Sequence, residues 1–178
     1  MLDKSRYGTD TLSTHALMRG AVLQLHRWGL LPAVAGAGTP PVRSTTFHLA
    51  DAVTTIPVKP RHGVEALYAP RRSVLDAILA DAARGAGADV RFGATVTGLR
   101  RDRAGRVTGI TGRAGSVPLE ASADLVVGAD GRRSAVARHV GARAVHVGPA
   151  SSVLIYRYVR ADAADGYHWY YGAGSGLL

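Results

Sequence analysis

Cysteine is missing from this 178-residue chain, so disulfides, thiolate zinc sites, iron–sulfur clusters and cysteine nucleophiles are excluded within it. Lysine is nearly missing too, with Lys4 and Lys59 standing alone. No run of about 18 apolar residues occurs, and no charged stretch leading into a short apolar one opens the chain. Neither a membrane-spanning helix nor a secretory leader is therefore expected, and a soluble, cytoplasmic protein is. The seven histidines never fall three or four residues apart and no His-Glu-x-x-His pattern is present, so no metal site is predicted. A Gly-x-Ser-x-Gly elbow is also lacking, which leaves Ser-His-Asp catalysis without support.

The formal net charge is +9, carried almost wholly by arginine, beside a hydrophobic content of 47%. Clustered cations would attract nucleic acid by displacing counterions from its phosphates. Here they spread from Arg6 to Arg160 in nothing longer than pairs such as Arg71-Arg72, Arg100-Arg101 and Arg132-Arg133, so no specific nucleic-acid partner is expected.

Hydrophobic spacing organises the rest. Asp10 to Trp28 reads as a helix capped by Thr11 or Ser13, with Leu17, Ala21, Leu25 and Trp28 on one face and Gly29 as its stop. Pro32 suits the first turn of a second, short helix ending near Gly36 or Gly38. Arg43 to Val58 alternates as a hairpin turning at Ala50-Asp51, and Pro57 and Pro60 place it at a sheet edge. Ser73 to Arg84 is amphipathic through Leu75, Ile78, Leu79 and Ala82. Strands are predicted at Val90 to Phe92, Thr95 to Arg101, Arg106 to Thr111, Val117 to Glu120, Asp124 to Val127 and Val153 to Val159. A helix from Ser134 to His139 and an aromatic segment, Tyr167 to Tyr171, complete an α/β or α+β pattern with a mixed sheet.

Three segments carry chemistry. In the first, Asp124-Leu-Val-Val-Gly-Ala-Asp-Gly-Arg-Arg-Ser134, an apolar strand leads through small residues to Asp130 and then to a helix start. Such an Asp can accept hydrogen bonds from ribose or ribityl hydroxyls, and Gly128 and Gly131 allow a sharp turn and close approach of a ligand. From the residues alone a second reading stays open, in which Asp130 caps the helix. The second segment is Leu67-Tyr-Ala-Pro-Arg-Arg-Ser-Val-Leu-Asp76 with Gly87-Ala-Asp-Val-Arg-Phe-Gly93 behind it, where Arg72 presents a planar fork at a helix start. The third is Met1-Leu-Asp-Lys-Ser-Arg6 ahead of Ser13-Thr-His15.

These segments resemble the flavoprotein hydroxylases related to para-hydroxybenzoate hydroxylase, and are also similar to geranylgeranyl reductase-type flavoproteins. The likeness runs from Asp3 to about Tyr171, and the Asp-Gly segment is its most specific part. It implies a Rossmann-like FAD-binding fold interleaved with a β-rich substrate domain. Residues 1–42 and 61–150 would belong to an incomplete FAD-binding domain, and 43–60 and 151–178 to the substrate domain. Asp130, with Gly128 and Gly131, matches the family's Asp-Gly contact to FAD; the arginine that usually follows the serine by three residues follows it here by four, at Arg138. Arg72 matches a flavin-contacting Arg or Gln. Asp3, followed by Lys4, matches the acid that bonds the adenosine ribose, and Ser13, Thr14 and His15 match a segment near the flavin ring. The first strand and its GxGxxG loop would then lie upstream of Met1, so that this chain is expected to be a fragment with weak or absent FAD affinity and poor solubility. In intact relatives NAD(P)H reduces the flavin and a small organic substrate receives an oxygen atom from O2; some similar proteins are reductases or halogenases. A non-catalytic remnant is the other expectation the missing loop supports.

Overall fold

The computed structural model describes residues 1–148, 155, 157, 158 and 166–172. In chain order its elements are α1 (Arg19–Arg27), α2 (Leu31–Gly36), β1 (Pro41–Val42), β2 (Ser44–Leu49), β3 (Ala52–Pro57), β4 (Leu67–Tyr68), α3 (Arg72–Gly85), β5 (Ala94–Arg101), β6 (Val107–Ala114), β7 (Val117–Ser122), α4 (Ala135–His139) and β8 (Tyr167–Tyr171). They fall into two compact units, one formed by residues 1–7 and 88–157 and the other by 8–87 and 158–178.

In the unit of residues 8–87 and 158–178, α1 packs on α2 and α2 on α3, burying Val22, Leu25, Val34 and Ala80. Val42 and Leu67 are buried on the small β1-β4 ladder, with Val64 and Ala66 beside it. The second sheet has the order β3-β2-β8. β2 and β3 form the expected hairpin about Ala50-Asp51, with β3 at the edge, while β8 returns from far along the chain to lie parallel to β2. One sheet thus holds both antiparallel and parallel pairs, the mixed arrangement read from the sequence.

Helix α1 begins nine residues later than the periodicity suggested, since Asp10 to Leu17 is not helical. The Leu17 amide donates to the Tyr68 carbonyl at 2.8 Å, so this residue bonds across to β4 rather than into a helical turn. No side chain caps α1, which starts after Met18, and Trp28 lies 61% exposed rather than on the buried face. The stop is as expected: Gly29 takes φ +71°, a left-handed conformation that glycine enters without a Cβ clash.

The unit of residues 1–7 and 88–157 is built on the meander β5-β6-β7. Met1 to Ser5 runs beside residues 89–94, with a parallel bridge between Leu2 and Arg91 and the Asp3 amide donating to the Arg91 carbonyl at 2.9 Å. Val90 to Phe92 therefore forms this single bridge instead of a strand. Asp124 to Val127 forms no ladder with any described residue, and Leu125 and Val127 are 77% and 76% exposed. Apolar alternation there predicts a strand, but a strand exists only through a partner. The expected strand at Val153 to Val159 falls largely outside the described residues, and of the three that are described none is in a strand.

Along β6 the chain needs glycine at position 112, where a Cβ would collide with the Thr95 carbonyl oxygen of β5. Gly112→Ala is expected to destabilise the chain by about 1–3 kcal/mol, the usual cost of overpacking. Urea unfolding measures this, and an unchanged midpoint would show that the β5-β6 pair yields freely.

Candidate functional site

The candidate residues divide between the two units, and each group has its own local setting. In the unit carrying Asp130, the exposed carboxylate turns toward the start of α4. Its Oδ1 accepts from the Ser134 hydroxyl at 2.5 Å, and its Oδ2 from the amides of Ala135 at 2.6 Å and Val136 at 3.3 Å. Ser134 is itself the N-cap, accepting from the Ala137 amide at 2.9 Å. Those amides have no partner inside the helix, so the carboxylate and the hydroxyl together satisfy three of them. The Ser134 hydrogen bond, followed by those from Ala135 and Val136, holds the Asp130 carboxyl below its ordinary pKa.

The turn before α4 is shaped by its two glycines for different reasons. A Cβ on Gly128 would meet the Val136 side chain at 2.7 Å, so this glycine lets the incoming segment pack on α4. Gly131 adopts φ +81° with nothing within 4 Å of a Cβ position, so its backbone stands open. Among the described residues, no hydrogen bond engages the amides of Gly131, Arg132 and Arg133. Arg132 and Arg133 are exposed, and Arg138 donates to the Arg133 carbonyl at 2.6 Å. In the same unit Asp3 is half-buried and its Oδ1 accepts from the Ser5 amide at 2.8 Å and the Ser5 hydroxyl at 2.6 Å, while Lys4 is exposed.

The other unit carries Ser13, Thr14, His15 and Arg72. Ser13 Oγ accepts from the His15 amide at 3.1 Å, a local turn that holds His15 at φ +59°. His15 Nε2 lies 2.6 Å from the Tyr158 hydroxyl, and its Nδ1 is buried with no hydrogen-bond partner among the described residues. Thr14 is exposed. Arg72 opens α3 and grips Asp76 one turn on, with Nε and Nη2 each 2.7 Å from a carboxylate oxygen.

Sequence reasoning did not single out Asp10, Arg71 or Tyr158 as site residues. Asp10 accepts from the Ser73 amide at 3.3 Å at the start of α3, and it pairs with Arg71. The Arg71 hydrogen bond, with those from Ser73 and Thr11, lowers the Asp10 pKa. The Arg71 guanidinium also lies 4.2 Å from the ring centroid of Tyr158, the residue that contacts His15. An Asp sixty-three positions before the amide it caps leaves no local signal. On the β3-β2-β8 sheet, Thr45, Phe47, Tyr167, Trp169 and Tyr171 share one face and, with Met18, line a hollow of about 310 Å³. The Tyr167 hydroxyl donates to the Tyr68 carbonyl at 3.2 Å, and burial raises its pKa. No helix is long and apolar enough to cross a membrane, and among the described residues no three His, Cys, Asp or Glu side chains are grouped to hold a metal ion.

Because the folded Asp130 pKa is depressed, its contribution to stability is complete above the unfolded aspartate value of about 3.9 and is lost as pH falls through the lower folded value. Side-chain carboxyl NMR is expected to show Asp130 titrating below the ordinary range, and Ser134→Ala is expected to move its midpoint upward. An ordinary midpoint in the unaltered chain would contradict the bond to Ser134.

Comparison with known proteins matches the chain to a family. No curated protein matches the chain in sequence. Among solved structures, a geranylgeranyl bacteriochlorophyll reductase-like protein from Thermoplasma acidophilum superposes with a TM-score of 0.74 at 22% identity, over 97% of this chain and 44% of its own. PqsL, a probable FAD-dependent monooxygenase from Pseudomonas aeruginosa, gives 0.67 at 16% identity over 84% and 40%. CmlS, a flavin-dependent halogenase, gives 0.64 at 25% identity over 79% and 26%. The chain thus spans less than half the length of each of these structures. The fold, mixed helices and open sheets, is that of an FAD-binding domain, and residues 1–161 match the family model described as the FAD binding domain. On that match, which covers most of its length, the chain belongs to the FAD binding domain family.

Proposed function

We propose that this chain contributes to an FAD site and that the protein it represents is an NAD(P)H-dependent monooxygenase acting on a small organic substrate. The observation that carries the reading is His15. A buried ring nitrogen without a partner is costly, and among the described residues Nδ1 of His15 is one, in the Ser13-Thr14-His15 segment whose likeness is to a segment near the flavin ring in the family. The partner of Nε2 determines what Nδ1 offers. If the Tyr158 hydroxyl donates to Nε2, Nδ1 carries the proton and donates to a ligand carbonyl; with the reverse tautomer it accepts from a ligand N–H.

The Asp130 turn fits a different part of the cofactor. The amides of Gly131, Arg132 and Arg133 are unengaged among the described residues, and two guanidinium groups flank them, which suits diphosphate oxygens. Asp130 retains acceptor capacity beyond the bonds to α4, since an ionised carboxylate has about four lone-pair sites, and ribose or ribityl hydroxyls are fitting donors. Asp3 with Lys4, and Arg72 at the head of α3, are the further candidate contacts. When bound, FAD supplies the passage of electrons from NAD(P)H to O2 that monooxygenation needs. The chain's own residues bind, orient and exclude water. For the substrate, we assign residues 43–60 and the β8 segment to its domain, and the aromatic hollow on β2 and β8 to one of its walls. Cytoplasmic location belongs to the same proposal.

A second reading is favoured by the partners Asp130 and Arg72 already possess. Both side chains serve a helix start or a helical ion pair, and a chain that binds no FAD by itself would look the same at these two positions. A titration of FAD followed by fluorescence anisotropy at moderate salt separates the readings. Saturable binding is expected, weakened about tenfold or more in Asp130→Ala, in line with loss of a charged hydrogen bond. Ser134→Ala loosens the same cap without removing the carboxylate and is expected to bind nearly as the unaltered chain does. Absence of saturable binding, or equal binding by Asp130→Ala, would favour the second reading.

A further inference from the structure

On the face of the β3-β2-β8 sheet opposite the aromatic hollow, β2 presents Thr46 and His48 and β8 presents His168 and Tyr170. His48 stands opposite Tyr170 in the parallel register, their rings stacked at 4.1 Å with planes 9° apart. His168 lies diagonally across, and its Nδ1 is 3.1 Å from Nε2 of His48, with ring planes 25° apart. His168 is exposed and His48 half-buried, so the pair is open to solvent on one side and braced by Tyr170 on the other.

Nothing in the proposed flavin chemistry uses this pair. As it stands, one imidazole donates to the other and a single proton sits between them. Two nitrogens held this far apart also match neighbouring positions around a transition-metal ion. With metal–nitrogen bonds of about 2.0–2.1 Å, donor atoms at right-angled to tetrahedral positions lie about 2.9–3.4 Å from each other. Imidazole suits copper, nickel and zinc, and with a given ligand set divalent copper binds most tightly of the first-row series.

We propose that His48 Nε2 and His168 Nδ1 form a two-nitrogen chelate for a divalent transition-metal ion, with water completing its coordination. The metal takes the place of the shared proton. In the neutral pair the donor ring's proton moves to the other nitrogen of the same ring, so that both facing nitrogens are unprotonated and none is released; in a pair carrying one extra proton, that proton leaves to solvent. Because a metal-bound nitrogen must be unprotonated, binding weakens in acid. The ion would bridge β2 to β8 and so would fasten the two strands that also form the aromatic hollow. Local spacing hides the site, because its ligands lie 120 residues apart and meet only through parallel pairing.

The test uses the full chain with no polyhistidine tag. Copper(II), nickel(II) and zinc(II) chlorides are titrated separately by calorimetry at pH 7.5 and again at pH 5.5. Saturable binding at one ion per chain is expected at pH 7.5, tightest for copper. His48→Gln and His168→Gln are each expected to weaken it about tenfold or more, because once one nitrogen has bound, the second is presented at high effective concentration. His26→Gln, on α1, is expected to bind as the unaltered chain does, and circular dichroism checks that each variant is folded. The electron paramagnetic resonance spectrum of the unaltered chain with one equivalent of copper gives a reading that needs no variant, and coupling to two imidazole nitrogens is expected. No saturable binding, undiminished affinity in His48→Gln or His168→Gln, or a copper spectrum without two-nitrogen coupling would overturn the proposal. FAD affinity is not read in any of these measurements, so their failure leaves the flavin reading standing.

Discussion

The first amides of a helix have no partner within it and must find one elsewhere. In this chain an aspartate outside the helix meets that need in each unit. Asp130 accepts from the amides of Ala135 and Val136 to begin α4, and Asp10 accepts from the Ser73 amide to begin α3. Around each carboxylate the candidate chemistry is assembled. The open Gly131 backbone and its arginines precede α4, and Arg71, drawn to Asp10, lies over the Tyr158 ring that contacts His15. Both carboxyls are kept below their ordinary pKa by these bonds, so both are charged at neutral pH and both settings are electrostatically fixed.

The same constraint explains why Asp130 admits two readings. A carboxylate that caps a helix is held in one rotamer by short bonds, and a held carboxylate is also a well-oriented acceptor for a ligand hydroxyl. Gly128, by contrast, is accounted for by Val136 packing, and Gly131 by its left-handed backbone. Arg72 is a similar case to Asp130, its fork closed on Asp76 while it sits at the head of α3.

Much of the fold is legible in the sequence where the signal is local. The β2-β3 hairpin follows from alternation across Ala50-Asp51, α3 from the spacing of Leu75, Ile78 and Leu79, and α2 from Pro32, while α4 lies within the helix expected from Ser134 to His139. Where a distant partner decides, local pattern misleads. Residues 10–17 carry helical spacing, yet the Leu17 amide is claimed by Tyr68; Asp124 to Val127 has the composition of a strand and no ladder among the described residues. The parallel β2-β8 pairing, and with it the aromatic hollow and the His48-His168 contact, has no signature in either segment alone. Asp10 and Tyr158 escape for the same reason, since their partners lie far off in sequence. The family, in contrast, is legible because the Asp-Gly segment is a contiguous motif.

Hydrogen–deuterium exchange of the chain with and without saturating FAD tests the account most directly, because it locates the ligand as well as detecting it. Slowed exchange is expected at the amides of residues 131–136 and 13–15, with the β5-β6-β7 meander unchanged. Uniform exchange in both states, or protection confined to segments away from Asp130 and His15, would contradict it.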